Sequence, residues 1–158
     1  MPSTSSLSPP CPVRPSFLLS CFANHSPVLP DSWLARWQLV VSVAAVFNTV
    51  QNYATLKFTR RIYNAVPPHS PVTALQARTF SAWTLTSAVV RIYAAFHIHD
   101  KTIYDMALMT YLIAFAHFSS EILIFRTAKM NIGVLSPVLV ASSSLIWMIS
   151  QYDFYVKP

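Results

Sequence analysis

Four long hydrophobic runs, Leu34–Tyr53, Phe80–His97, Met106–Phe125 and Val134–Gln151, occupy most of the chain between Trp33 and Tyr155. Each approaches the ~20 residues that a helix, rising ~1.5 Å per residue, needs to cross a ~30 Å hydrocarbon layer. A water-soluble helix of this length would carry a polar stripe opposite its apolar one, and these runs carry few polar residues. The pattern predicts an all-α polytopic membrane protein: a bundle of four transmembrane helices. Hydrophobic residues make up 54% of the 158 and charged residues 10%, which disfavours a soluble domain.

Two segments follow from composition. Residues 1–30 hold seven prolines (Pro2, Pro9, Pro10, Pro12, Pro15, Pro27, Pro30) and many serines, so a disordered tail is expected there. Its apolar patch, Phe17–Ala23, is too short to span and lacks the layout of a cleaved signal peptide. Residues 31–158 form the expected four-helix membrane domain. Both cysteines, Cys11 and Cys21, fall in the tail, so neither a disulfide framework nor a thiol nucleophile is expected in the bundle.

The net charge of +6 does not mark a nucleic-acid binder, because the basic residues gather where apolar runs end. Lys57, Arg60, Arg61, Arg78, Arg126 and Lys129 flank one side of the expected bundle, and Arg36, Lys101 and Lys157 the other. The excess of positive charge predicts that the first side is cytoplasmic and that both termini are lumenal. On that topology the sequon Asn24-His25-Ser26 would face the lumen, although Pro27 disfavours its use.

Polar residues inside the runs are the candidates for function. Asn48, Gln51 and Asn52 share one helical face, and amides in lipid require partners on another helix. Arg91 in the second run, and His117 and Glu121 in the third, are costly in hydrocarbon and should face the bundle interior. A hairpin turning near Asp100-Lys101 puts Arg91 level with Tyr111 and Glu121 level with Ser81. Arg91 and Glu121 are then offset by ten residues, about 15 Å. Arg78 is offset from Glu121 by three, about 4.5 Å, so an Arg78–Glu121 ion pair is expected. Arg91 would instead snorkel or bond the hydroxyl of Tyr93 or Tyr111. Asn131-Gly133 is expected to end one helix and turn into the next, with Pro137 in that helix's first turn. Ser142, Ser143 and Ser144 offer a close-packing face.

No catalytic apparatus stands out. The single glycine, Gly133, excludes the glycine-rich loops that bind dinucleotides and phosphates. Tyr53-x-x-x-Lys57 has the Tyr/Lys spacing of short-chain reductases but lacks such a loop. Five histidines are too few for the clusters of a membrane di-iron oxygenase, and no Ser/His/Asp or Cys/His set is visible. No cofactor, no metal and no enzymatic activity are expected.

Several motifs together are distinctive: Asn48-Thr-Val-Gln51; Leu75-Gln-Ala-Arg-Thr-Phe-Ser-Ala-Trp-Thr-Leu85; Arg91; Asp100-Lys101 with Tyr104; His117-Phe-Ser-Ser-Glu121; Ser136-Pro137; and Ser144-Leu-Ile-Trp147. In these the chain resembles the ergosterol biosynthetic protein 28 family over about residues 33–155, the Pro/Ser tail lying outside the resemblance. The resemblance implies a non-catalytic multi-pass protein of the endoplasmic-reticulum membrane. Such a protein tethers the sterol C-4 methyl oxidase, the sterol C-3 dehydrogenase/decarboxylase and the 3-keto sterol reductase. It further implies that Arg78, Thr79, Phe80, Trp83, Arg91, His117 and Glu121, beside Asn48 and Gln51, are structural or docking determinants. Membrane lipid is the other expected partner, nucleic acid is not one, and a homo-oligomer is left open. The alternative is a small sterol carrier or transporter that contacts its cargo through Arg91 and Glu121.

Overall fold

A computed structural model of the chain describes residues 30–64 and 72–156. The expected disorder of residues 1–30, both cysteines and the sequon lie outside the described residues, apart from Pro30. Every regular element among the described residues is helical: α1 (Trp33–Ala54), α2 (Lys57–Ile62), α3 (Ala74–Phe96), α4 (Lys101–Leu123), α5 (Ile132–Ser150) and α6 (Tyr152–Tyr155). The four long helices coincide with the four hydrophobic runs, but three of them begin earlier than the apolar residues do. Thr73, Asp100 and Asn131 each use a side-chain oxygen to accept from the backbone N–H three residues on. These caps satisfy amides that a helix start leaves open. They draw polar first turns such as Ala74–Thr79 and Lys101–Asp105 into the helices.

Three helices, α1, α4 and α5, are long and apolar enough to cross a membrane. The expectation of four is corrected here. At 23 residues α3 is long enough, but Arg91 and a series of hydroxyls (Thr79, Ser81, Thr84, Thr86, Ser87) lower its apolarity. Exposed Val43, Phe47, Val50, Ile113, Leu139 and Ile146 give the bundle the apolar exterior that lipid, not water, accommodates.

Successive long helices run in alternate directions, so the chain's described ends meet. The Ser32 hydroxyl hydrogen-bonds that of Tyr155, 123 positions away, and His99 Nδ1 lies 3.1 Å from the Tyr155 carbonyl. At this hairpin end the core is built from Leu34, Ala95, Tyr104, Tyr111, Met148 and Tyr155. At the far end Ile62, Tyr63, Phe80, Phe118 and Val134 form a second core. The most extensive helix pairing is between α1 and α3, whose buried faces are mostly small: Ser42, Ala45 and Thr49 against Ala77, Ser81 and Ala88.

Two local expectations at α5 are also corrected. Asn131 is an N-cap, not a C-cap, and Gly133 lies within the first turn of α5. A Cβ on Gly133 would stand 2.9 Å from the Arg61 carbonyl oxygen and 3.0 Å from Arg61 Cγ, so glycine lets the end of α2 press against α5. Asn131 Nδ2 donates to that same carbonyl at 3.0 Å. Pro137 sits inside the helix, in the second turn, where its missing N–H leaves the Gly133 carbonyl without its helical donor. Beyond α4, Arg126 adopts φ 54, a left-handed conformation that costs a side-chain-bearing residue about 1 kcal/mol.

Candidate site: a buried arginine and an apolar cleft

The sequence-selected residues separate into three groups. Arg78 and Thr79 are exposed on the outer side of α3, and the Thr79 hydroxyl only back-bonds to the Leu75 carbonyl at 3.1 Å. The expected Arg78–Glu121 pair does not form. Their levels agree, but Ala77, Phe80 and Ser81 form the inward stripe of α3, and each residue step turns a helix by about 100°. Arg78 therefore points away from the bundle. Glu121 instead accepts from the Thr127 hydroxyl, with His117 Nδ1 at 4.0 Å.

The second group is the far-end cluster. His117 Nε2 and the Tyr63 hydroxyl are 2.7 Å apart. Burial pushes the pKa of Tyr63 up, and the Glu121 charge adds to this, so the phenol keeps its proton. Trp83 meets the His117 ring edge-on at 5.8 Å and Phe80 at 5.6 Å. Phe80 in turn meets Tyr63 and Phe118. The cluster pins the segment after α2 to α3 and α4. Of Asn48, Gln51 and Asn52, only Asn52 is held by a side-chain hydrogen bond among the described residues, and its partner is Thr59 on adjacent α2 (2.7 Å). The expectation that another long helix satisfies all three is not met. Asn52 Nδ2 is buried without a partner among the described residues, while Asn48 and Gln51 are half-buried.

The third group surrounds Arg91, which is 7% exposed. Its guanidinium carbon stands 3.9 Å from the centroid of the Tyr111 ring, a cation–π contact, and its Nε donates to Thr110 Oγ1 at 3.1 Å. The depth matching that set Arg91 beside Tyr111 is thus confirmed, but the contact is with the ring and not the hydroxyl. The Tyr111 hydroxyl donates to Gln38 Oε1 (2.8 Å), Gln38 Nε2 reaches Met148 Sδ (3.1 Å), and the Tyr104 hydroxyl donates to the Met148 carbonyl (2.7 Å). Gln38 and Tyr63 were not singled out in the sequence. For Gln38 the signal was present, as an amide early in an apolar run; Tyr63 lies outside the runs and gave none. Of Ser142, Ser143 and Ser144 on α5, only Ser144 is fully buried, and it accepts from Trp37 Nε1 at 2.8 Å.

Arg91 also lines a cleft of about 480 Å³ to which all four long helices contribute. Its walls are mainly apolar and include Trp37, Ala45, Phe80, Trp83 and Ala141, with Asn48, Arg61, Thr84, Ser87 and Ser136 as further polar points. Glu121 and His117 are not among its lining residues, so Arg91 and Glu121 do not share one path. Among the described residues no group of three or more His, Cys, Asp or Glu is placed to hold a metal ion.

A helical membrane bundle with a buried, ring-stacked arginine beside an apolar cleft is the class that fold and site define. The chain belongs to the family described as Erg28 like protein, whose family model matches residues 34–146. It is 40% identical over 128 residues to Ergosterol biosynthetic protein 28 of Saccharomyces cerevisiae, covering 80% of this chain and 85% of that one. Identity to the Schizosaccharomyces pombe protein of the same name is 48% over 124 residues (78% and 88%). The human Ergosterol biosynthetic protein 28 homolog is 43% identical over 117 residues (73% and 82%). No solved structure matches the chain.

Proposed function

We propose that this chain serves sterol synthesis as a non-catalytic scaffold of the endoplasmic-reticulum membrane. It would hold the sterol C-4 methyl oxidase, the C-3 dehydrogenase/decarboxylase and the 3-keto reductase together. The observation that carries the reading is the family match over 113 consecutive residues, from 34 to 146, joined to relatives whose names state ergosterol biosynthesis. Tethering makes successive encounters intramolecular and raises avidity by about 10²–10⁴. Sterol intermediates that partition into lipid then meet the next enzyme before they disperse.

The bundle supports one finer statement. The docking surface includes the outer side of α3 at its start, where Leu75, Arg78 and Thr79 are exposed. These residues belong to the distinctive motif run yet remain exposed among the described residues.

The test is affinity recovery of the tagged full chain from its native membranes in mild detergent, with mass spectrometry and a sterol profile of the deletion strain. The expected result is co-recovery of the three enzymes and accumulation of 4-methyl or 3-keto intermediates in the strain. A solitary protein with an unchanged sterol profile refutes the scaffold. The double variant Leu75→Ala/Arg78→Ala should lose at least one enzyme while the bundle stays folded.

A further inference from the structure

Arginine carries five N–H donors and no acceptor. In Arg91 one donor, Nε, is used on Thr110 and one face of the guanidinium is taken by the Tyr111 ring. Among the described residues the two terminal amino groups meet no hydrogen-bond acceptor, and neither Asp nor Glu pairs with them. A charge held at 7% exposure within a membrane bundle ordinarily has a partner. Here the residue lines the 480 Å³ cleft, a size inside the ~300–1,000 Å³ range of small-molecule sites. Tyr111 and Thr110 hold the guanidinium in place, so its free donors are oriented before any ligand arrives. The walls supply what such sites generally offer, aromatic and aliphatic surface with few polar points.

From this geometry we infer that the cleft is a sterol-binding site in which Arg91 donates hydrogen bonds to an acceptor oxygen, a ketone or carboxylate, on the sterol's polar end. The apolar ring system lies against Trp37, Phe80, Trp83 and Ala141. Because arginine only donates, the ligand's polar end must accept, which excludes protonated amines. The acceptor requirement follows from the unspent donors of Arg91 and the cleft it lines. The choice of a sterol over another lipid with the same oxygen chemistry rests on the sterol-synthesis reading above.

The experiment uses the purified full chain in lipid nanodiscs, without any enzyme, and a tritiated 3-keto sterol as probe. Saturable binding is expected, weakened at least tenfold in Arg91→Met and partly restored in Arg91→Lys. Ala44→Phe fills the cleft from an exposed position of α1, where the fold tolerates bulk, and should abolish binding with helix content unchanged. An unlabelled sterane hydrocarbon, lacking oxygen, should compete at least tenfold less well than the unlabelled ketone. Absence of saturable binding, or binding unaltered in Arg91→Met and Ala44→Phe, overturns the site. Competition by the hydrocarbon equal to that of the ketone overturns the role of Arg91. Oleate displacing the probe as well as the ketone does overturns the sterol assignment in favour of a fatty acid. A chain that binds sterol yet recovers no enzymes sinks the tether alone; one that recovers them but binds nothing sinks this inference alone.

Discussion

The two cores of the bundle solve the same problem differently. At the hairpin end, Tyr104, Tyr111, Gln38 and Met148 form a closed chain of hydrogen bonds, and the Trp37 indole is satisfied by Ser144. Toward the far end, polar groups sit among aromatic rings with donors to spare: Asn52 Nδ2 has no partner among the described residues, and the cleft opens between the helices. A saturated network fixes one packing and can offer a ligand ring surface, as Trp37 and Tyr111 do along the cleft, but no unspent donor. A cleft bordered by unspent donors is more weakly determined by its own chain, and this is the region where an outside molecule can contribute.

Substitutions should separate the two regions. The largest effect is expected for Tyr104→Ala, which empties a fully buried aromatic position and should cost about 3–5 kcal/mol, measured by denaturant titration in micelles. Gly133→Val forces a Cβ against the Arg61 carbonyl. It should cost about 1–3 kcal/mol and, in the same titration, loosen the far end first, seen as faster hydrogen exchange at Ile62 and Tyr63. If Gly133→Val instead exposes hairpin-end amides equally, the two cores are one cooperative unit. Tyr111→Phe strands Gln38 Oε1 and should cost about 0.6–2 kcal/mol, with a lowered Tm. The paired change Asn52→Leu/Thr59→Val removes the orphan amide together with its hydroxyl partner, and should be neutral or slightly stabilising. Destabilisation by more than about 1 kcal/mol would mean that the far end is as tightly specified as the hairpin end. Smallest of all, Arg78→Ala should stay within about 0.5 kcal/mol of the parent, and reversing the charges at Arg78 and Glu121 together should give no mutual rescue.

The sequence made the helices legible because apolar runs of bilayer length have few other readings. It made depth legible too, as Arg91 and Tyr111 show. It did not make azimuth legible. Arg78 and Glu121 match in level, but a turn of about 100° per residue decides whether level residues face each other, and small inward residues such as Ala77 and Ser81 are faint markers of that direction. Helix starts were misjudged for a related reason: hydropathy begins where apolar residues begin, whereas Thr73, Asp100 and Asn131 begin the helices by capping. The expectation of a fourth span failed because Arg91 and the hydroxyls along α3 lower its apolarity, although Arg91, Ser81 and Ser87 are buried while Thr79 and Thr86 stay exposed. The cleft left no trace in the sequence, since it is a gap between four helices distant along the chain.

The α1–α3 seam has a consequence for assembly. Ala45, Ala77 and Ala88 have no rotamers to immobilise, and Ser42 and Ser81 donate back to their own helices at 2.7 and 2.8 Å. Docking these two faces therefore surrenders little side-chain entropy, whereas seating Tyr104, Tyr111 and Met148 freezes several torsions for every contact made. The first hairpin can thus close early in the membrane, and α4 and α5 then assemble on a surface already formed.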